Sequence, residues 1–263
     1  METTFPSVQL PGVLKLLAHD TRWNILVLLA RGDYNEQELM RLLKQPQNVL
    51  SYHLRRLLDH GLVKEQRNAA DERSIYYSLD LALLHAQYLA AAGVLHPALE
   101  NMETAETLRQ VTDRYRPHTP VSVLFLCTEN SARSQMAEGI RRSLSDGWVE
   151  AFSAGSRPSH LHPLAVETLA AMKMDISHQQ SKHLDVFAKR SFDYVITVCD
   201  RVRESCPTLP GDPERIHWSF PDPAAVEGSE ELCKQAFEQT ALHLITRIRY
   251  LLILLERESS ARG

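Results

Sequence analysis

The sequence predicts two folded parts of different class, an α+β unit followed by an α/β unit with a parallel sheet. Three observations carry that expectation. The chain has 263 residues, enough for two domains of ordinary size. Its first part strings together short apolar-periodic helices and then two alternating strands, whereas its later part alternates apolar strand-like runs with helical ones. All four cysteines, Cys127, Cys199, Cys206 and Cys233, fall in that later part. The expected boundaries are 1–98 for the first domain, 99–120 for a linker and 121–263 for the second. An apolar content of 44% and a charged content of 24% are globular values. A net charge of −4 gives no whole-molecule attraction to nucleic acid, so any DNA affinity must be local. No basic-then-apolar segment opens the chain, and runs such as Leu251–Leu255 are too short to span a bilayer. A cytoplasmic protein with no membrane partner is expected, in which cysteines are catalytic or redox-active rather than a structural framework.

In the first part, residues 14–31 read as two helices broken near His19-Asp20, with Asp20 or Thr21 as the N-cap of the second. Asn35 to Lys44 reads as a third helix with Leu39, Leu42 and Leu43 on one face. Pro46 suits the first turn of a fourth, running from Gln47 to His60 over Val49, Leu50, Leu54, Leu57 and Leu58. Gly61 ends it. Leu62–Arg67 and Ser74–Leu79 then alternate like two strands joined by a polar turn. Helix, turn, helix and hairpin make an α+β winged helix-turn-helix arrangement, which places polar side chains of the last helix against base edges and basic wing residues near phosphate. The DNA-contacting set is Gln47, Asn48, Ser51, Tyr52, His53 and Arg55 on the helix, with Arg67 and Arg73 in the wing. Arg41, Lys44, Arg56 and Lys64 add to the local positive charge. Asp80 to Leu95, with a stripe of Leu81, Leu84, Tyr88 and Leu89, reads as a dimerisation helix carrying surface histidines.

The segments Leu17-Ala-His-Asp-Thr-Arg-Trp-Asn-Ile-Leu, Leu50-Ser-Tyr-His-Leu-Arg-Arg-Leu and Gly61-Leu-Val-Lys, with the paired wing tyrosines, resemble the ArsR-type repressors over residues 10–100. The resemblance implies a homodimer that binds operator DNA and releases it when a metal or metalloid binds. No cysteine precedes Cys127, so thiolate sensing within this part is excluded. No metal site is expected.

The second part begins with the apolar strand Val121-Ser-Val-Leu-Phe-Leu-Cys127, and Ser134-Gln-Met-Ala-Glu-Gly-Ile-Arg-Arg reads as a helix. A loop from a strand end into a helix N-terminus turns backbone N–H groups inward and cradles an oxyanion. The expected cradle is Thr128, Glu129, Asn130, Ser131, Ala132, Arg133 and Ser134. A thiol at its mouth is expected to have its pKa lowered by the helix end and by Arg133. Further strands are expected at 149–155, 192–199 and 216–220, with a helix at 163–173 and a long closing helix at 228–256. Cys127, Cys199 and Asp222 all fall near C-terminal strand ends, where open parallel sheets bind ligands. Cys233 reads as a core residue of the closing helix.

This part resembles the low-molecular-weight protein tyrosine phosphatase fold and, within it, the thioredoxin-coupled arsenate reductases. The matching segments are Cys127-Thr-Glu-Asn-Ser-Ala-Arg-Ser-Gln-Met-Ala-Glu-Gly, Ser153-Ala-Gly-Ser, Thr197-Val-Cys-Asp, Cys206-Pro and His217-Trp-Ser-Phe-Pro-Asp-Pro. The resemblance implies that Cys127 is the nucleophile, that Arg133 and the loop amides bind the oxyanion, and that Asn130 and Ser134 hold loop and thiolate. Asp222 is then the general acid. It also implies that Cys199 and Cys206 relay a disulfide outward to thioredoxin or a similar thiol donor, with arsenate as substrate and no bound cofactor. Ala224-Ala225 follow Pro223 where tyrosine phosphatases of this fold present aromatics, which favours the reductase. A tyrosine phosphatase tied to a regulator, and a non-catalytic oxyanion or arsenite sensor controlling DNA binding, are the alternatives.

Overall fold

The computed structural model describes residues 9–68, 74–96, 120–145, 148–204 and 209–262. Arg73, Cys206 and nearly all of the 99–120 linker lie outside the described residues. The chain divides into two compact units, one drawn mainly from the first part of the sequence and one mainly from the rest.

The first part of the chain forms α1 (Gly12–Leu17), α2 (Asp20–Leu29), β1 (Tyr34–Asn35), α3 (Glu36–Leu43), α4 (Gln47–Asp59), β2 (Val63–Arg67), β3 (Ile75–Leu79) and α5 (Leu81–Gly93), all assigned to the first unit apart from residues 66–76 at the facing ends of β2 and β3. The break between α1 and α2 falls where the sequence puts it, but the N-cap is His19, whose ring accepts from the Thr21 amide. Asn35 forms a capping box with Glu38 at the start of α3. Pro46 is the N-cap of α4 rather than a residue of its first turn. The helices close over Ile25, Leu26, Leu29, Leu39, Leu50, Leu54 and Leu57, all buried. Leu42, expected on the buried face of α3, is exposed. β1, too short to show any alternation, joins the wing strands in the order β1-β3-β2.

The second unit holds β4 (Val121–Cys127), α6 (Arg133–Leu144), β5 (Val149–Gly155), α7 (Pro163–Ala171), β6 (Tyr194–Thr197), α8 (Asp200–Glu204), β7 (Glu214–His217) and α9 (Glu230–Arg262). Its sheet runs β5-β4-β6-β7, with every pair parallel. The continuous apolar run Val123–Leu126 is what a strand buried on both faces requires, and all four residues are buried. β4 pairs with β5 on one side and β6 on the other, so the order reverses at the end of β4. A crevice opens at such a reversal, and Cys127 stands in it. Helices α6, α7 and α9 pack on one another. Phe237, Ala241, Leu244, Ile248, Leu251 and Leu255 form the buried stripe of α9.

Three expected placements shift. β6 ends at Thr197, so Cys199 lies past the strand, immediately before α8. β7 spans Glu214–His217, which leaves Asp222 in the following loop. Cys233 is not in the core: it is only partly buried, and its thiol lies 3.3 Å from the Val226 carbonyl oxygen. Among the described residues no helix is long and apolar enough to cross a membrane.

Candidate active site

Cys127 ends β4 and is buried at the opening of the loop into α6. The loop's carbonyls are engaged from outside. Those of Thr128, Glu129 and Ser131 accept from the amides of Arg157 at 2.8 Å, Ser159 at 2.9 Å and His162 at 2.9 Å. The Asn130 carbonyl accepts from the Ser181 hydroxyl at 2.5 Å. In a trans peptide the carbonyl and the next N–H point opposite ways, so the amides of Glu129, Asn130, Ser131 and Ala132 turn inward. The Asn130 amide indeed donates to Cys127 Sγ at 3.0 Å. At the head of α6 no side chain caps the first amides, which adds further donors to the cradle. Loop and β5 meet closely at Gly155, where a Cβ would lie 2.6 Å from the Thr128 carbonyl oxygen and 2.8 Å from the Asn130 nitrogen. Only glycine leaves that space.

Asn130 holds the turn by adopting the left-handed region at φ 47° and bonding in several directions. Its side-chain amide donates to Ser134 Oγ and Ser153 Oγ, both at 2.9 Å, while its Oδ1 accepts from Gln135 Nε2 at 3.1 Å and the Lys182 amide at 2.8 Å. Ser134 Oγ in turn lies 2.9 Å from Cys127 Sγ. Behind them Ser153 donates to Glu138 at 2.5 Å, and that buried carboxylate pairs with Arg142 at 2.6 Å and faces Lys182 Nζ at 3.6 Å. The expected roles of Asn130 and Ser134 thus have matching contacts. Glu138, Ser153 and Lys182 extend the network with contacts that no local pattern announces.

Arg133 is buried and committed to one loop: it donates to the Phe220 carbonyl at 3.1 Å and to Asp222 Oδ2 at 2.5 Å. The other Asp222 oxygen accepts from the Ala224 amide at 3.2 Å, and the side chain stays 42% exposed, within reach of the mouth. Glu129 turns outward, exposed, with Oε2 3.4 Å from the Ser159 hydroxyl, and so leaves the cradle's interior free of its charge. Cys199 is buried against the wall, 3.4 Å from Thr128 Oγ1. Cysteines 127, 199 and 233 are free thiols.

One expectation is reversed. Burial pushes the Cys127 thiol up rather than down, against the opposing pull of the Arg133 charge and the Ser134 hydrogen bonds. The Arg133 guanidinium already faces the Asp222 carboxylate, which offsets its charge. His162, which sequence reasoning missed, lines the rim: its ring stacks on Phe237 at 4.6 Å, and burial lowers its pKa although Asp222 and Glu129 pull it upward.

Gln47, Asn48, Ser51, Tyr52, Arg55 and Arg56 share the exposed side of α4, and Arg67 is exposed on β2. The Glu36 carboxylate of α3 accepts from Ser51 and from Gln47, the latter at 3.5 Å. His53 contradicts its expected place on this surface. It is buried, with its ring 4.3 Å from that of His19, because it falls on the same helical stripe as Leu50, Leu54 and Leu57. Lys64, counted toward the local positive charge, is paired with Asp80 at 2.6 Å. Among the described residues no three His, Cys, Asp or Glu side chains are grouped to hold a metal ion.

A buried thiol in a ring of inward amides, at the strand-order reversal of a parallel sheet, defines a thiol-centred oxyanion site on an α/β domain. Residues 122–261, more than half of the chain, match the low molecular weight phosphotyrosine protein phosphatase family, and the chain belongs to that family. Residues 19–65 match the bacterial regulatory protein arsR family. An arsenate reductase of Shouchella clausii is 39% identical over 128 residues, covering 48% of this chain and 91% of the relative. An arsenate reductase of Bacillus subtilis is 42% identical over 110 residues, covering 41% of this chain and 78% of the relative. A solved thioredoxin-dependent arsenate reductase of Corynebacterium glutamicum aligns with a TM-score of 0.41 at 23% identity, over 91% of this chain and 98% of its own.

Proposed function

We propose that the protein is a DNA-binding regulator fused to an arsenate reductase, and that it acts in arsenic resistance. The observation that carries the enzyme reading is the second buried thiol, Cys199, in van der Waals reach of the cradle residue Thr128. Hydrolysis at Cys127 has no use for it, whereas reducing arsenate requires two electrons. The Cys127 thiolate attacks arsenic, and the displaced oxygen leaves protonated, Asp222 supplying the proton. Arg133 and the inward amides hold the remaining oxygens. The Cys199 thiolate then attacks Cys127 Sγ. The sulfur–arsenic bond breaks, its electron pair departs with arsenic as arsenite, and a Cys127–Cys199 disulfide forms. Cys206 attacks Cys199, frees Cys127, and leaves a disulfide for thioredoxin or a similar thiol donor to reduce. The 39–42% identity to curated arsenate reductases supports this reading.

For the first unit, the exposed amide, hydroxyl and guanidinium groups of α4 support binding to operator DNA. Tyr88, Val94 and Leu95, 55%, 50% and 79% exposed on and just after α5, support a homodimer through this unit.

The test is NADPH oxidation by the whole protein with thioredoxin, thioredoxin reductase and arsenate. Cys199→Ser should abolish it while hydrolysis of an aryl phosphate persists. Arsenate turnover that survives Cys199→Ser unchanged rules out the relay. Aryl phosphate hydrolysis without arsenate turnover in the unsubstituted protein makes it a phosphatase, and no turnover of either substrate makes the second unit a sensor.

A further inference from the structure

The segment that carries Cys199 is gripped from the neighbouring strand by one side chain. β6 and β7 pair in parallel with Thr197 in register with His217. The two ring nitrogens of His217 reach residues on either side of Cys199 in the chain: Nδ1 lies 2.8 Å from Thr197 Oγ1, and Nε2 lies 3.0 Å from Asp200 Oδ1. Thr197 comes two residues before Cys199 and Asp200 directly after it. All three residues are buried, with exposures of 6% for Thr197, 6% for His217 and 2% for Asp200. A carboxylate only accepts, so Nε2 carries the ring hydrogen and Nδ1 accepts from the Thr197 hydroxyl. Burial lowers the His217 pKa, with the Asp200 bond pulling the other way, in keeping with that neutral tautomer. Both nitrogens being engaged, the ring has no freedom to turn without losing a buried hydrogen bond. Asp200 also opens α8, the helix that leads from Cys199 toward Cys206.

We propose that His217 is a positioning residue for the second thiol, clamping Thr197 and Asp200 so that Cys199 is aimed at the Cys127 sulfur. The clamp serves the disulfide-forming step of the relay and rests on that reading. Attack of one sulfur on another needs the incoming thiolate in line with the breaking bond, and a strand exit free to shift loses that alignment. Binding of arsenate in the cradle does not depend on it.

The test uses the full chain with Cys206→Ser, in which the reaction stops at the Cys127–Cys199 disulfide. Single turnovers with arsenate are quenched with an alkylating agent, and the disulfide is quantified by mass spectrometry. Adding His217→Ala should slow disulfide formation by about tenfold or more, with the half-saturating arsenate concentration unchanged. Asp200→Asn, which keeps a carbonyl to accept from Nε2, should retain the parent's rate, whereas Asp200→Ala should be slowed like His217→Ala. Should His217→Ala fail to fold, as judged by its melting transition, Thr197→Val removes one leg of the clamp at nearly constant volume and should also be slow. A folded His217→Ala or Thr197→Val that forms the disulfide at the parent's rate overturns the clamp alone. A parent that forms no disulfide with arsenate overturns the relay, and the clamp falls with it.

Discussion

Cys127 combines two demands that pull against each other. A thiolate is the stronger nucleophile, yet a side chain removed from water resists ionising, and burial holds this thiol up. Arg133 supplies the largest opposing pull, but its guanidinium sits 2.5 Å from Asp222 Oδ2. Removing that carboxylate charge should let Arg133 act on the sulfur without an offset. Asp222→Asn is therefore expected to move the pH midpoint of Cys127 alkylation by iodoacetamide downward, even as arsenate turnover falls for want of the acid. An unmoved midpoint would mean that Asp222 does not mask Arg133. His53 shows the opposite kind of side chain, one whose polarity suggests a surface role and whose position on the helix denies it. Between Leu50, Leu54 and Leu57 it faces the core of the first unit, and burial lowers its pKa, ahead of the effect of His19 and Arg22.

At the scale of elements, helix starts in this chain use several devices: Asn35 and Asp80 cap α3 and α5, His19 and His162 cap α2 and α7, and Pro46 precedes α4 with no side-chain cap, so that the reading of them from sequence differs from the structure by a residue or so. α3 is the most fully specified. Asn35 Oδ1 accepts from the Glu38 amide and Glu38 Oε2 accepts from the Asn35 amide, both at 2.9 Å. Asn35→Ala removes the first bond and leaves a helix amide without its acceptor, for an expected loss of about 0.5–2 kcal/mol, measurable by urea denaturation. An unchanged midpoint would mean that water replaces the cap at no cost. The loop from β4 to α6 has no such side-chain cap, and its first amides are left to the cradle. The same elementary fact, that the head of a helix has unpaired N–H groups, is met by asparagine at α3 and by no side chain at α6. β6 is shorter than its apolar run suggests because α8 begins at Asp200, only one residue beyond Cys199. The sequence run Phe192–Cys199 is apolar for burial, and burial extends past the last strand hydrogen bond.

At the scale of the whole molecule, His53, His162 and His217 among the described residues have pKa values lowered chiefly by burial. Each is held neutral in the folded state at a pH where the unfolded chain would already bind a proton. The sign follows: above about pH 6.5 neither state carries the proton and the histidines leave stability unchanged, while below it the unfolded state gains protons first and stability falls. The melting temperature should therefore drop as pH is lowered from 7.5 through 6 to 5, and less steeply in a His53→Gln variant. A variant as acid-sensitive as the parent would remove His53 from this account.

What the sequence determined by itself is local. The order strand, Cys127, loop, Arg133, helix occupies consecutive residues, so the cradle could be read from a single stretch, and helical and strand periods separate the two units because each depends only on near neighbours. The strand pattern puts Cys199 and Asp222 near the same sheet end as Cys127, but their roles come only through the resemblance of their segments, since nothing in local spacing says how closely they approach it. The tertiary structure decided which segments meet. Parallel pairing of β4 with β5 and β6, and of β6 with β7, brings Ser153, Cys199 and His217 to one end of the sheet. Lys182 and Glu138, 44 positions apart in the chain, join only because both turn toward Asn130 and Ser153. It also decided the direction in which Cys127 titrates. A thiol beside an arginine looks activated in sequence, but the energy of ionising it depends on how much water remains around it, and only packing determines that.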